Sequence, residues 1–343
     1  MRFIIVFILG LSAICQAQIP KIKGFRKILA EEVQVPKRMS IYSWDSLGEA
    51  KLAVVDTGSS KNELIPIQVK RSFAIGETEV TNKEWWEFVF AVVDEKMKGN
   101  SSGNQISDLA FLLNLDTGSK FENLVQVWMY NRGRNNIVYD GVPVLPSFNC
   151  WLEDFPEGYA KPMAEYYFSH PAYMDFPVVG ISHDQAMAYC KWKSKQLNSD
   201  QWMFSLPTED QFIAASMSIP QNKKKLKGYA PYLPFTRNSK GMILLNYNPS
   251  NDLKVPDNHL ASDGHMYTAP SVSYFPNQNG LYNLHGNVAE WTRTKGTNSN
   301  EFLVKGGSYI DPLPCIWPKS YTSLHHAKGD SRVGFRMVLV EKE

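Results

Sequence analysis

Short apolar runs alternate with polar turns from residue 61 onward. Ile65 to Val69 and Phe73 to Ile75 read as short strands. Thr81-Asn82-Lys83-Glu84 then precedes Trp85-Trp86-Glu87-Phe88-Val89, which predicts a helix start. Thr81 can accept the Glu84 amide while the Glu84 side chain reaches back, with Val80 and Trp85 as an apolar staple. The same device recurs at Ser182 with Gln185, ahead of Ala188, Tyr189 and Trp192, and at Thr208 with Gln211, ahead of Phe212 and Ala215. Phe302-Leu303-Val304 predicts a strand, and Gly306-Gly307 a tight turn after it. Val333 to Val340 alternates weakly and reads as one final strand. Residues 93–160 lack periodicity and read as a long insertion. Lys223-Lys224-Lys225 with Lys227 reads as a solvated loop.

The N-terminal part reads differently. Met1-Arg2, the apolar run Phe3 to Ile14 and Cys15-Gln16-Ala17 form a secretory signal, residues 1–17, cleaved after Ala17. The run is shorter than the roughly 20 residues that span a bilayer. Lipid attachment at Cys15 is the second reading, weakened by Ile14 where a small residue is wanted. Residues 18–60, with Lys21, Lys23, Arg26 and Lys27, read as an extended or loosely attached arm. Asp56-Thr57-Gly58-Ser59-Ser60 marks the boundary, leaving residues 61–343 as one large domain. No later segment is apolar enough to span a membrane.

Composition narrows the class. Among 343 residues, 36 Lys+Arg against 34 Asp+Glu give a net charge of +2, no general reason to bind nucleic acid. Aromatic residues reach 13%, alongside 20 Pro and 22 Gly, so ring-packed loops are expected to outweigh long helices, in an irregular α+β domain. Export permits disulfides, but Cys150, Cys190 and Cys315 allow at most one internal bridge. Without a CxxC, a zinc ribbon or thioredoxin-like site is not expected.

Four groups invite a chemical reading. Asp56-Thr57-Gly58 and Asp116-Thr117-Gly118 echo a protease motif, yet both sit in polar, turn-rich context. Ser182-His183-Asp184 cannot form a triad, since adjacent residues at a helix start do not converge. His325-His326 diverge in direction and have no carboxylate at helical spacing. Asn283, Gly286 and Glu290 offer hard oxygens and a turn that suit Ca²⁺, as do Asn246 and Asp263-Gly264. The alternative is an ordinary Asn-Gly loop with Glu290 in a salt bridge.

Gly280-Leu281-Tyr282-Asn283-Leu284-His285-Gly286-Asn287-Val288-Ala289-Glu290-Trp291 also resembles a signature of the sulfatase-modifying-factor, or formylglycine-generating-enzyme-like, domain. Further blocks follow the same order: Glu77 to Asn82, Pro177 to Ser182 with Ala188 to Trp192, Leu206 to Glu209, Lys305 to Tyr309, and Val333 to Arg336. The resemblance implies a C-type-lectin-like α+β fold. It implies two structural Ca²⁺ sites: Asn283, Gly286, Val288 and Glu290, then Asn246, Tyr247, Asp263 and His265. The enzymes of the family use a copper-binding cysteine pair after the Gly-Gly-Ser turn. Here those positions are Asp311 and Ile316, with Cys315 one place off. A carboxylate and an isoleucine cannot supply the soft thiolates that select Cu(I). Cys190 fits half of the family's disulfide, but Met337 stands at the other half.

The chain is more similar to the gliding-motility and type IX secretion lipoproteins of the K and J type. That similarity lies in Tyr167 to Tyr173, Phe235 to Gly241 and Asp311. It implies a non-catalytic component of a cell-envelope apparatus, in the periplasm or at the outer membrane. Its partners would be other proteins of the machinery, in a homo-oligomeric assembly, with no nucleic acid. An exported glycan- or protein-binding module is the alternative, and a formylglycine-generating oxidase the less favoured one.

Overall fold

The computed structural model describes residues 18–37, 39–44, 50–56, 64–99, 137–155, 158, 160–217, 243–249 and 263–342. The three capping devices form as their spacing demands. The Thr81 amide donates to Glu84 Oε2 at 2.9 Å and the Glu84 amide to Thr81 Oγ1 at 3.2 Å, opening helix α1, Asn82–Gly99. Two short helices follow, α2 at Cys150–Asp154 and α3 at Lys161–Tyr166. Ser182 and Gln185 make a reciprocal box at the start of α4, His183–Leu197. Thr208 and Gln211 do the same before α5, Glu209–Met217. Each box satisfies amides that the first helical turn leaves without partners.

The strands are β1 Phe25–Ile28, β2 Glu32–Pro36, β3 Met39–Trp44, β4 Ala50–Asp56, β5 Leu64–Gln68, β6 Phe73–Gly76, β7 Val138–Tyr139, β8 Val142–Pro143, β9 Trp202–Ser205, β10 Ala289–Lys295, β11 Glu301–Lys305, β12 Tyr321–His325, β13 Val333–Gly334 and β14 Val338–Glu341. One sheet runs β1-β6-β14-β9, a second β13-β10-β11-β12-β3-β4, and two pairs are β2-β5 and β7-β8. The fold mixes helix and sheet, with α4 and its neighbours packed around the aromatic core.

Two differences from the sequence reading matter. The arm is extended, but it is paired rather than loose: β1 lies along β6, and β3 sits inside the six-stranded sheet between β12 and β4. The final strand is two strands. Phe335-Arg336-Met337 separates β13 from β14, and Arg336 there bonds the carbonyls of Gly76 and Tyr282. The expected insertion at 93–160 starts too early, since 93–99 continue α1 with Val93 buried in the core; within it, residues 137–155 carry β7, β8 and α2, while 100–136 lie outside the described residues. So do the signal, the Lys223–Lys227 run, the Phe235–Gly241 block, and both Thr-Gly pairs of the protease-like motifs.

Ring packing accounts for much of the interior. Trp85 stacks on Tyr189 at 5.6 Å and meets Phe88 and Phe335 edge-on at 5.4 and 6.0 Å. Such pairs add about 0.5–1.5 kcal/mol each beyond the area they bury. Cys150, Cys190 and Cys315 are buried free thiols, each with its pKa pushed up by burial. None has the depressed pKa of a reactive cysteine. No helix among the described residues is long and apolar enough to cross a membrane.

Candidate functional site

The Gly-Gly-Ser turn joins β11 to the segment that carries Asp311. Gly306 and Gly307 hold φ of 90° and 69°, and a Cβ on Gly307 would meet Ile316 Cγ2 at 2.6 Å. Only glycine fits there. The turn aims Ser308 at Asp311: its amide and its hydroxyl each donate to Asp311 Oδ2 at 2.7 Å. The Trp44 indole N–H donates to Asp311 Oδ1 at 2.8 Å. Burial raises the Asp311 pKa, while these bonds and the Arg332 charge oppose the rise. Three donors thus engage a fully buried carboxylate. Cys315 and Ile316 lie in the 3₁₀ turn Leu313–Ile316, both buried, and His285 Nδ1 is 2.8 Å from the Ile316 carbonyl.

A second buried network adjoins it. Arg332 donates from Nε to Asp330 at 2.7 Å and from Nη2 to Asp330 at 2.8 Å and Asp154 at 3.1 Å. Burial lifts the Asp154 pKa to about 6, with Asp330 adding to the rise. Asp330 is held low: burial opposes, but Arg332 outweighs it.

The calcium candidates fall into two unlike settings. Asn246, Tyr247, Asp263 and His265 come together: Asp263 accepts the Tyr247 amide at 3.0 Å and the His265 amide at 3.1 Å. Asn246 Nδ2 donates to the Tyr267 carbonyl at 2.9 Å, and its buried Oδ1 has no hydrogen-bond partner among the described residues. Asp263 has no ion pair among the described residues, and burial lifts its pKa to about 6. A buried amide oxygen and a carboxylate in one group are the hard donors that a hard cation takes.

Asn283, Gly286, Val288 and Glu290 also share one loop, but Glu290 is spoken for. Arg336 Nε reaches both its oxygens, at 2.9 and 2.7 Å, and Nη2 reaches Oε1 at 2.6 Å. Both side chains are wholly buried. Burial raises the Glu290 pKa and Arg336 opposes it. Asn283 donates to the Ser271 carbonyl at 3.1 Å, and Asn287 donates to Glu79 Oε1 at 2.8 Å. The guanidinium already supplies the cation that Glu290 faces, so this group does not fit Ca²⁺ as the other does. The salt-bridge alternative describes Glu290. No cluster of three or more His, Cys, Asp or Glu able to hold a metal occurs among the described residues.

The remaining motif residues are structural. Ser182 caps α4, His183 stacks on Phe302 at 3.5 Å with its Nδ1 3.8 Å from Asp184 Oδ1, and Asp184 Oδ2 pairs with His326 Nδ1 at 2.5 Å. His325 Nδ1 accepts the Ala327 amide at 3.3 Å, and its ring lies 4.6 Å from that of His326, so the two histidines do not diverge as their adjacency suggested. Sequence reasoning assigned no role to Trp44, Glu79, Asp154, Arg332 or Arg336. Glu79 and Arg336 lie inside the signature blocks, which was the available signal; Trp44 lies outside them all.

Residues 48–340 match the sulfatase-modifying factor enzyme 1-like domain. The chain belongs to that family. A relative from Bos taurus, named inactive C-alpha-formylglycine-generating enzyme 2, is 29% identical over 272 residues, covering 77% of this chain and 72% of its own length. The formylglycine-generating enzyme of Streptomyces coelicolor is 32% identical over 115 residues, covering 34% of this chain and 31% of its own. Among solved structures, PvdO of Pseudomonas aeruginosa aligns with a TM-score of 0.48 at 14% identity, over 92% of this chain and 94% of that one. This sulfatase-modifying-factor-like chain therefore has relatives named as enzymes and relatives named as inactive.

Proposed function

We propose that this protein is a non-catalytic family member, exported to the periplasm or the outer membrane as a structural component of a gliding-motility or type IX secretion apparatus. One observation carries the non-catalytic part. The resemblance puts the thiol pair at Asp311 and Ile316, and Asp311 is fully buried with three hydrogen-bond donors on it. A carboxylate so engaged cannot take the place of a thiolate toward a soft metal. Cys315 has its pKa raised by burial, the reverse of an activated thiol. The relative named inactive, covering 77% of the chain, agrees with this reading.

The apparatus assignment rests on sequence blocks alone, of which Tyr167 to Tyr173 lies among the described residues. Tyr167 is buried and donates to the Pro177 carbonyl at 2.6 Å, joining that block to the following one. The C-type-lectin-like description belongs to the same reading. So does one structural Ca²⁺, held by Asn246 and Asp263 side chains with the Tyr247 and His265 carbonyls. It would neutralise Asp263. Affinity purification from the native envelope, with the mass of the mature N-terminus, tests the assignment. Co-purifying envelope machinery and a chain starting at Gln18 are expected. A chain that purifies alone, or keeps residues 1–17, contradicts it.

A further inference from the structure

The carboxylate at the Gly-Gly-Ser turn is met by a strand from outside the matched domain. β3 ends at Trp44, before residue 48 where the family match begins, yet it adds to β12 with Ile41 opposite Tyr321. Three of its side chains enter the turn. The buried Ser40 donates its amide to Ser320 Oγ at 2.8 Å and its hydroxyl to the carbonyl of Pro314, the residue before Cys315, at 2.6 Å. Tyr42 is buried beside Asp311, Cys315 and Arg332. Trp44 gives its indole N–H to Asp311, and its ring centroid lies 4.4 Å from the Arg332 guanidinium carbon.

The chemistry selects an indole. Asp311 Oδ2 is taken by Ser308, so Oδ1 still needs a donor. Arg332 spends Nε and Nη2 on Asp330 and Asp154, while Nη1 has no partner among the described residues, and its face is open to a ring. A buried carboxylate favours a charge-assisted bond, and a desolvated guanidinium favours a π-face. Tryptophan meets both demands with one side chain; phenylalanine meets only the second.

We propose that the turn from Gly307 to Ile316, with Arg332, is a recognition groove for a tryptophan-bearing extended strand, and that the chain fills it in cis with β3, closing Cys315 off from solvent. This goes beyond the non-catalytic reading and is independent of it. An enzyme could carry such a plug, and a non-catalytic protein could leave the groove open.

Site-mapped N-ethylmaleimide labelling of the full chain tests it, with Cys150 and Cys190 as internal controls. In Trp44→Ala, labelling of Cys315 is expected to rise by about tenfold or more while the controls stay slow. Such a rise follows if losing the two contacts weakens the closed state by at least 1.4 kcal/mol. Adding N-acetyl-tryptophanamide should slow it again. Trp44→Phe keeps a ring under Arg332 and loses only the N–H, so its Cys315 should react at an intermediate rate. If Trp44→Ala unfolds, all three thiols react together and Trp44→Phe decides. Cys315 labelling in the folded variant no faster than in the parent chain overturns the closure. Absence of protection by the tryptophan amide overturns the recognition.

Discussion

Glu290 and Arg336 hold opposite charges with no exposed surface between them. A buried pair of this kind adds little relative to apolar residues, but removing one partner strands the other. Glu290→Ala is therefore expected to cost about 3–5 kcal/mol. The loss should be equal with and without a chelator, read by denaturant unfolding; a loss that vanishes under chelation would restore Glu290 as a calcium ligand. His183 makes a different prediction. Burial against Phe302 lowers its pKa from 6.5 to about 4. The unfolded chain then binds more protons than the folded one between those values, so stability is present above pH 6.5 and lost as pH falls toward 4. His183→Phe keeps the stacking and removes the titration. Its stability should fall less between pH 6.5 and 4 than the parent's, by up to about one proton in slope; an unchanged slope contradicts this.

At the scale of elements, what the sequence showed was local. The capping boxes were legible because Ser182 and Gln185 are three residues apart and answer each other. Ser182→Ala should cost about 1 kcal/mol, the usual worth of an N-cap, measured by thermal or chemical unfolding. Gln185→Ala should cost more, since the same side chain also donates to the Pro143 and Leu145 carbonyls at 2.9 and 2.7 Å. The arm was not legible, because its partners are remote: the Ser40 amide bonds a hydroxyl 280 positions on. Mixed charge suggested looseness, and the pairing of β3 with β12 reversed it. The last strand misled for a related reason. Its alternation is real, but Arg336 leaves the ladder to meet Glu290, a cross-chain demand that period-two patterning cannot express.

The whole molecule combines a family scaffold with a turn where the resemblance leads one to expect a thiol pair and the chain carries Asp311 and Ile316. The order of the blocks was legible because each carries a turn or cap that the fold needs, Gly306-Gly307 above all. The state of the site was half legible. Asp311 and Ile316 could be read in place of a thiol pair, whereas the closure by Trp44 and the two unlike calcium settings required three dimensions. If Asn246 and Asp263 hold Ca²⁺, a chelator should lower the melting temperature of the parent chain and leave that of Asp263→Ala unmoved, since a ligand stabilises only the state that binds it. An equal chelator response in both would remove that site. The central claim, absence of oxidase chemistry, is tested most directly by incubating the protein with Cu(I), oxygen and a cysteine-containing sulfatase peptide, with conversion of the cysteine to its aldehyde followed by mass spectrometry. No conversion above the protein-free control is expected; catalytic accumulation of the aldehyde would contradict the account.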